Sequence, residues 1–194
     1  ITNNQIVMVT PYRYKETCQA IPSAKWDKAL KAWVAPALPS TVNAVDKAFR
    51  DSPLMRSEAF EQAAQEASIV DKAAAYKDAP ELPEIPGSEV ASWLHQRQAF
   101  WFSRHLPATM LSMGMGTGKS KVAVDLCRER GNQSVLVLCP PKPVRVWPRE
   151  FRKHALGVFE VYALESESVE NKARTVTAIL RRAKSTGERC VVVT

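Results

Sequence analysis

Leu111-Ser-Met-Gly114-Met-Gly116-Thr-Gly118-Lys119-Ser120 sets three glycines within five residues and ends on a lysine and a hydroxyl. Glycines let the backbone turn tightly and aim successive N–H groups at one point. A helix opening at Lys119 adds the partial positive charge of its N-terminus. Together these are the parts of a P-loop, in which the lysine reaches the β- and γ-phosphates of a nucleotide and the hydroxyl ligates Mg2+. The motif needs a strand before it and a helix after it. Ala108–Ser112 is a short apolar run that reads as the strand, and Lys119–Arg130 reads as the helix. The general pattern also has a glycine five residues before Gly118; Met113 stands there and Gly114 follows one residue later. The expected nucleotide contacts are Gly114, Met115, Gly116, Thr117, Gly118, Lys119 and Ser120. Lys119 and Ser120 are the expected catalytic pair, Ser120 is the expected metal ligand, and ATP and Mg2+ are the expected cofactors. The competing reading is a glycine-rich turn with a chance Gly-Lys-Ser.

On either side of the loop the pattern is regular. Ala91–His105 reads as a helix, Ser134–Cys139 (SVLVLC) as a strand, and Pro143–Ala155 as a helix. Val158–Leu164 reads as a strand, Val169–Ala183 as a helix, and Cys190–Thr194 (CVVVT) as another strand. Strands apolar along their whole length are expected to be buried on both faces, as in a parallel sheet covered by helices. The predicted class for residues 89–194 is therefore α/β with a parallel sheet.

Upstream, residues 54–79 lack glycine and proline and repeat apolar residues at roughly helical spacing. ELPEIPGSE then breaks the helix and reads as a linker. The first segment is small and mixed: a strand over Gln5–Thr10, helical turns over Tyr14–Ala20, extended chain over Ala32–Ala37, and a helix from Ser40 to Arg50. The expected organisation is a small basic α+β module at 1–52, a helical segment and Pro-rich linker at 53–88, and the P-loop domain at 89–194.

The chain has 194 residues and a net charge of +7. Residues 1–52 hold 7 Lys+Arg against 4 Asp+Glu, residues 53–88 hold 3 against 7, and residues 89–194 hold 17 against 9. A basic surface favours polyanions, because each neutralised phosphate releases counterions; general solubility is the other reading of the same charge. No apolar run approaches the ~20 residues of a membrane span. The start lacks the order of a secretory signal, so a cytoplasmic or nucleic-acid-associated setting is expected. Cys18, Cys127, Cys139 and Cys190 form no CxxC pair and read as small buried thiols.

Three blocks of this sequence resemble superfamily II helicases, and within them the Swi/Snf-type DNA translocases. Leu94-His-Gln96-Arg-Gln-Ala-Phe100-Trp-Phe is similar to their Q-type motif. The resemblance implies that Gln96 contacts adenine; an amide can both donate to and accept from that base. Met115-Gly116-Thr117-Gly118-Lys119-Ser120 is similar to the family's motif I, with Met113-Gly114 where an acidic pair is usual and Ser120 where threonine is usual. Val135-Leu-Val-Leu-Cys139-Pro140-Pro141-Lys142, followed by Val146-Trp147-Pro-Arg-Glu150-Phe151, resembles motif Ia. That likeness implies nucleic-acid contact at Pro140, Pro141 and Lys142; Trp147 and Phe151, at i and i+4 on one helix face, read as core.

Pro11-Tyr12 through Ile21-Pro22-Ser-Ala-Lys-Trp26 to Lys31-Ala-Trp33 looks like the HARP-type module of annealing helicases. This implies DNA binding at Lys25, Lys28 and Lys31; the interleaved aromatics also serve as the module's own core.

The resemblance implies a RecA-like fold and a nucleic-acid partner, DNA before RNA, for a monomeric chain. Hydrolysis in that family needs a paired acidic motif, and no Asp-Glu pair occurs in the sequence. The chain therefore reads as the N-terminal portion of a longer ATP-dependent motor, the remaining lobe lying elsewhere, with no turnover expected of it alone. The alternatives are a non-catalytic DNA-binding module with a degenerate nucleotide site, or a small P-loop NTPase or kinase.

Overall fold

The computed structural model describes residues 1, 4–165 and 168–194. The chain forms two compact units, Ile1–Ala74 and Ala75–Thr194.

The first unit is built on a three-stranded antiparallel sheet in the order β1 (Gln5–Met8), β3 (Ala32–Pro36), β2 (Lys25–Asp27). Ile6 stands opposite Ala35, Met8 opposite Trp33, and Trp26 opposite Trp33. Directly paired residues share a face, so Ile6, Met8 and Ala35 reach the core together. There they meet Cys18 of α1 (Lys15–Gln19), Val42 and Val45 of α2 (Pro39–Ala48), and Phe60 and Ala67 of α3 (Glu58–Ala74). Pro39 at the first position of α2 supplies a preset helical φ. The turn between β2 and β3 is held by Asp27, whose Oδ1 accepts from the N–H of Ala29 at 2.8 Å and of Leu30 at 3.0 Å.

The second unit holds a three-stranded parallel sheet in the order β4 (Ser134–Val137), β6 (Cys190–Val193), β5 (Glu160–Ala163). Its helices are α4 (Leu94–Ser103), α5 (Lys119–Glu129), α6 (Trp147–His154) and α7 (Val169–Thr186). The unit is thus mixed α/β with a parallel sheet, as the apolar strands predict. Cys190–Val193 is buried at every position because β6 is the central strand. Val191 and Val193 pack with Val124, Val144, Phe151 and Ala155. At 18 residues, α7 starts where the Ser168 hydroxyl accepts from the Asn171 N–H at 3.3 Å, and stops at Gly187 in the left-handed region.

Two expectations are corrected. Ser134–Cys139 is not buried on both faces: Val135, Val137 and Cys139 join the core, whereas Leu136 and Leu138 are 54% and 74% exposed. β4 is an edge strand in the described structure, and no helix covers its second face. Ala108–Ser112 is not a ladder strand, since strand pairing needs a hydrogen-bonded neighbour and this segment has none among the described residues. Leu111 and Met113 still turn inward against Phe100 and Val122, while Met110 and Ser112 point out, which is the alternation of an extended chain. None of the described helices is long and apolar enough to cross a membrane.

The Pro-rich segment lies along α4. The Arg97 guanidinium donates to the Leu82 carbonyl at 2.8 Å, the Gln98 amide to the Ala79 carbonyl at 3.0 Å, and the Trp101 indole N–H to the Pro83 carbonyl at 3.0 Å. Ile85 is buried with Phe100 and Val122.

Burial pushes His154 below the ordinary histidine pKa; Lys121 and Lys153 add to the shift, while Glu150 and Asp125 oppose it. The unfolded chain therefore takes up the extra proton first, and stability falls as pH drops through about 6.5. Urea midpoints measured at neutral and mildly acidic pH are expected to fall less for His154→Gln than for the wild type.

Candidate nucleotide site

Met113–Ser120 closes on itself through its own lysine. Lys119 Nζ donates to the carbonyls of Met113 at 2.9 Å and Gly114 at 2.8 Å, and the Thr117 hydroxyl donates to the same Gly114 carbonyl at 2.7 Å. Gly116 and Gly118 take φ of 74° and 86°, a region in which side-chain-bearing residues are strained. Gly118 is the N-cap of α5 and brings no side chain to cap the first turn. The leading N–H groups of the helix thus stay uncapped at the loop, beside an ammonium. Ser120 is the second residue of α5 and half-buried; Met115 is 98% exposed at the tip.

The opening turn of α4 clamps this loop. Gln96 is 6% exposed; its Oε1 accepts from the Trp93 N–H at 3.1 Å, and its Nε2 donates to the Thr117 carbonyl at 3.0 Å. His95 Nε2 lies 3.0 Å from that same carbonyl and donates to it in the Nε2–H tautomer. A Cβ at residue 118 would overlap the Gln96 amide, so glycine there serves both the backbone conformation and the approach of α4. An amide has two N–H donors and two acceptor lone pairs, and these bonds use one of each.

A second clamp sits one turn further along α5. Asp125 is fully buried; its Oδ2 accepts from Lys121 Nζ at 2.7 Å, and its Oδ1 lies 3.0 Å from an Arg128 nitrogen. Lys121 also donates to the hydroxyls of Ser88 at 2.9 Å and Ser92 at 2.8 Å. Arg128 donates to the carbonyls of Pro86 at 2.7 Å and His154 at 2.6 Å. α5 is therefore tied both to the segment leading into α4 and to the end of α6. Sequence reading did not single out Lys121, Asp125, Arg128 or His95. The i, i+4 and i, i+3 charges on α5 were the available signal, but they resemble an ordinary solvated helix face.

Pro140, Pro141 and Lys142 are exposed just past the C-terminal end of β4. The parallel ladder continues to that end, with Cys139 N–H donating to the Thr194 carbonyl at 2.9 Å. Arg145, in the same turn as Lys142, is engaged by Glu165 Oε2 at 2.6 and 2.8 Å. Lys25, Lys28 and Lys31 are exposed on the β2–β3 hairpin of the first unit.

A Cβ built at Gly116 would meet nothing within 4 Å, and the Lys119 ammonium and the uncapped start of α5 lie at the loop. The described residues contain no His/Cys/Asp/Glu cluster suited to a metal. Mg2+ would be held here by the Ser120 hydroxyl together with the nucleotide's own oxygens. No protein family and no curated protein matches the chain.

Gly118→Ala is expected to lower the urea midpoint more than Gly131→Ala, which has the same sign of φ but nothing within 4 Å of its Cβ. Adding Gln96→Ala is expected to recover part of that loss. Additive effects in the double variant would remove the steric account. Separately, Asp125→Ala leaves the buried Lys121 and the partly buried Arg128 without their carboxylate and is expected to cost about 3–5 kcal/mol by the same measurement.

Proposed function

We propose that the chain binds ATP with Mg2+ through Gly114–Ser120 and is the nucleotide-binding portion of a DNA translocase of the helicase type, built on a RecA-like lobe. The observation that carries this reading is the loop itself. Lys119 is held over the carbonyls of Met113 and Gly114 at the uncapped start of α5, where an anion with its own charge-assisted hydrogen bonds would displace it. The triphosphate supplies the phosphoryl chemistry when bound. This chain's part is to cradle the phosphates with its amides, to neutralise them with Lys119, and to offer the Ser120 hydroxyl to the metal.

Gln96 and His95 hold the Thr117 carbonyl, so the loop's shape is coupled to α4. The nucleic-acid side of the proposal rests on Pro140–Lys142 at the strand ends, on Lys25, Lys28 and Lys31, and on the basic balance of residues 89–194. Ligands of open parallel sheets bind outside the carboxyl ends of the strands, which is where Lys142 stands.

The test is equilibrium binding of a fluorescent ATP analogue with Mg2+. Lys119→Ala is expected to weaken binding about tenfold or more, a ~1.4 kcal/mol effect. Equal binding by wild type and variant would overturn the phosphate-cradle reading. Salt-dependent DNA binding with no nucleotide binding at all would select a non-catalytic DNA-binding module instead.

A further inference from the structure

The unit Ile1–Ala74 carries an aromatic cleft that the nucleotide site does not use. Trp26 and Trp33 are a cross-strand pair with ring centroids 5.7 Å apart in an edge-to-face arrangement. Trp33 is partly buried against the core, but β2 is an edge strand, so Trp26 overhangs that core and is 51% exposed. Facing them are Tyr12, 83% exposed, and the exposed Lys15 and Gln19 of α1. The cavity between these groups has a volume of about 470 Å³, within the range of small-ligand sites.

Folding alone does not account for the exposed rings. The core of this unit is complete without Tyr12 and Trp26: Ile6, Met8, Cys18, Val42, Val45, Phe49 and Phe60 form it. Basic residues outnumber acidic ones around the cleft. Of the four acids in residues 1–52, Asp46 is taken by Arg50 at 2.8 Å and Arg56 at 2.6 Å, Asp27 holds the hairpin turn, and Glu16 and Asp51 are exposed. Arg13, Lys15, Lys25, Lys28 and Lys31 are exposed. Lys15 Nζ lies 5.5 Å from the centre of the Tyr12 ring, so an aromatic face and a cation are presented together at the mouth.

We propose that this cleft takes one unpaired base of a single-stranded nucleic acid. The base stacks on the Tyr12 and Trp26 rings, the Gln19 amide meets its polar edge, and Lys15 meets a flanking phosphate. Stacking on aromatic side chains within a basic groove is how single strands are held without reference to sequence. A paired base in a duplex offers no free face. A proline-rich peptide would also suit two exposed aromatics, but the basic rim favours a polyanion. The inference rests on the nucleic-acid reading above and adds to it the strandedness and the residues.

The experiment is fluorescence anisotropy of the full chain with three probes: a short oligothymidylate, the same strand with abasic residues, and a blunt duplex. The oligothymidylate is expected to bind about tenfold or more tighter than the abasic strand, which carries the same phosphates. Tyr12→Ala, at an exposed position, and Trp26→Ala are both expected to erase that preference with the salt dependence unchanged. Trp26→Phe is expected to keep it, which separates loss of stacking from loss of fold. Equal affinity for the abasic strand, tighter duplex binding, or an undiminished preference in Tyr12→Ala would overturn the inference while leaving nucleic-acid binding standing. Failure of all three probes to bind would overturn the nucleic-acid reading as well. In either case binding of the ATP analogue is an independent readout of the P-loop.

Discussion

A fully buried carboxylate organises the second unit. Asp125 stands on α5 with no exposed surface, and an unpaired charge in that position would be prohibitively desolvated. It is compensated by Lys121 and Arg128, and each cation spends its remaining donors on another part of the chain: Ser88 and Ser92, or Pro86 and His154. The direction of α5 is therefore set by contacts to two other parts of the unit, the segment leading into α4 and the end of α6, and the loop at its N-terminus inherits that direction.

The Gly-rich loop depends on this arrangement. α4 follows directly from the segment that Lys121 and Arg128 hold, and its first turn supplies the Gln96 and His95 contacts to Thr117. A loop containing three glycines would otherwise have many conformations of similar energy. Two side chains on one carbonyl, and a lysine on two others, select one of them.

The first unit is organised by different means. Its core is small, and an edge strand lets one tryptophan serve the sheet on one side and solvent on the other. Aromatic rings tolerate such a position because they carry a large apolar area with few rotatable bonds.

Much of the local architecture was legible in the residues. CVVVT reads as a strand buried on both faces because Cys190–Val193 is apolar throughout, and β6 is buried at each of those positions. The helix expected over Val169–Ala183 is α7, which begins at the Ser168 cap and runs on to Thr186 before Gly187. The Gly-x-Gly-Lys-Ser run marked where the loop lies and where α5 starts, because a helix start depends on near neighbours. Tertiary structure alone decided what depends on residues distant in sequence. SVLVLC has the same composition as a buried strand, yet Leu136 and Leu138 face solvent because burial belongs to whatever packs above a face. Ala108–Ser112 is apolar and extended, yet a ladder strand exists only with a bonded neighbour. The side chain of Gln96 is committed to a carbonyl 21 positions away, and Lys121 to hydroxyls 29 and 33 positions away. Such pairings carry no period and no local signature, since the chain acquires them only when separate elements meet.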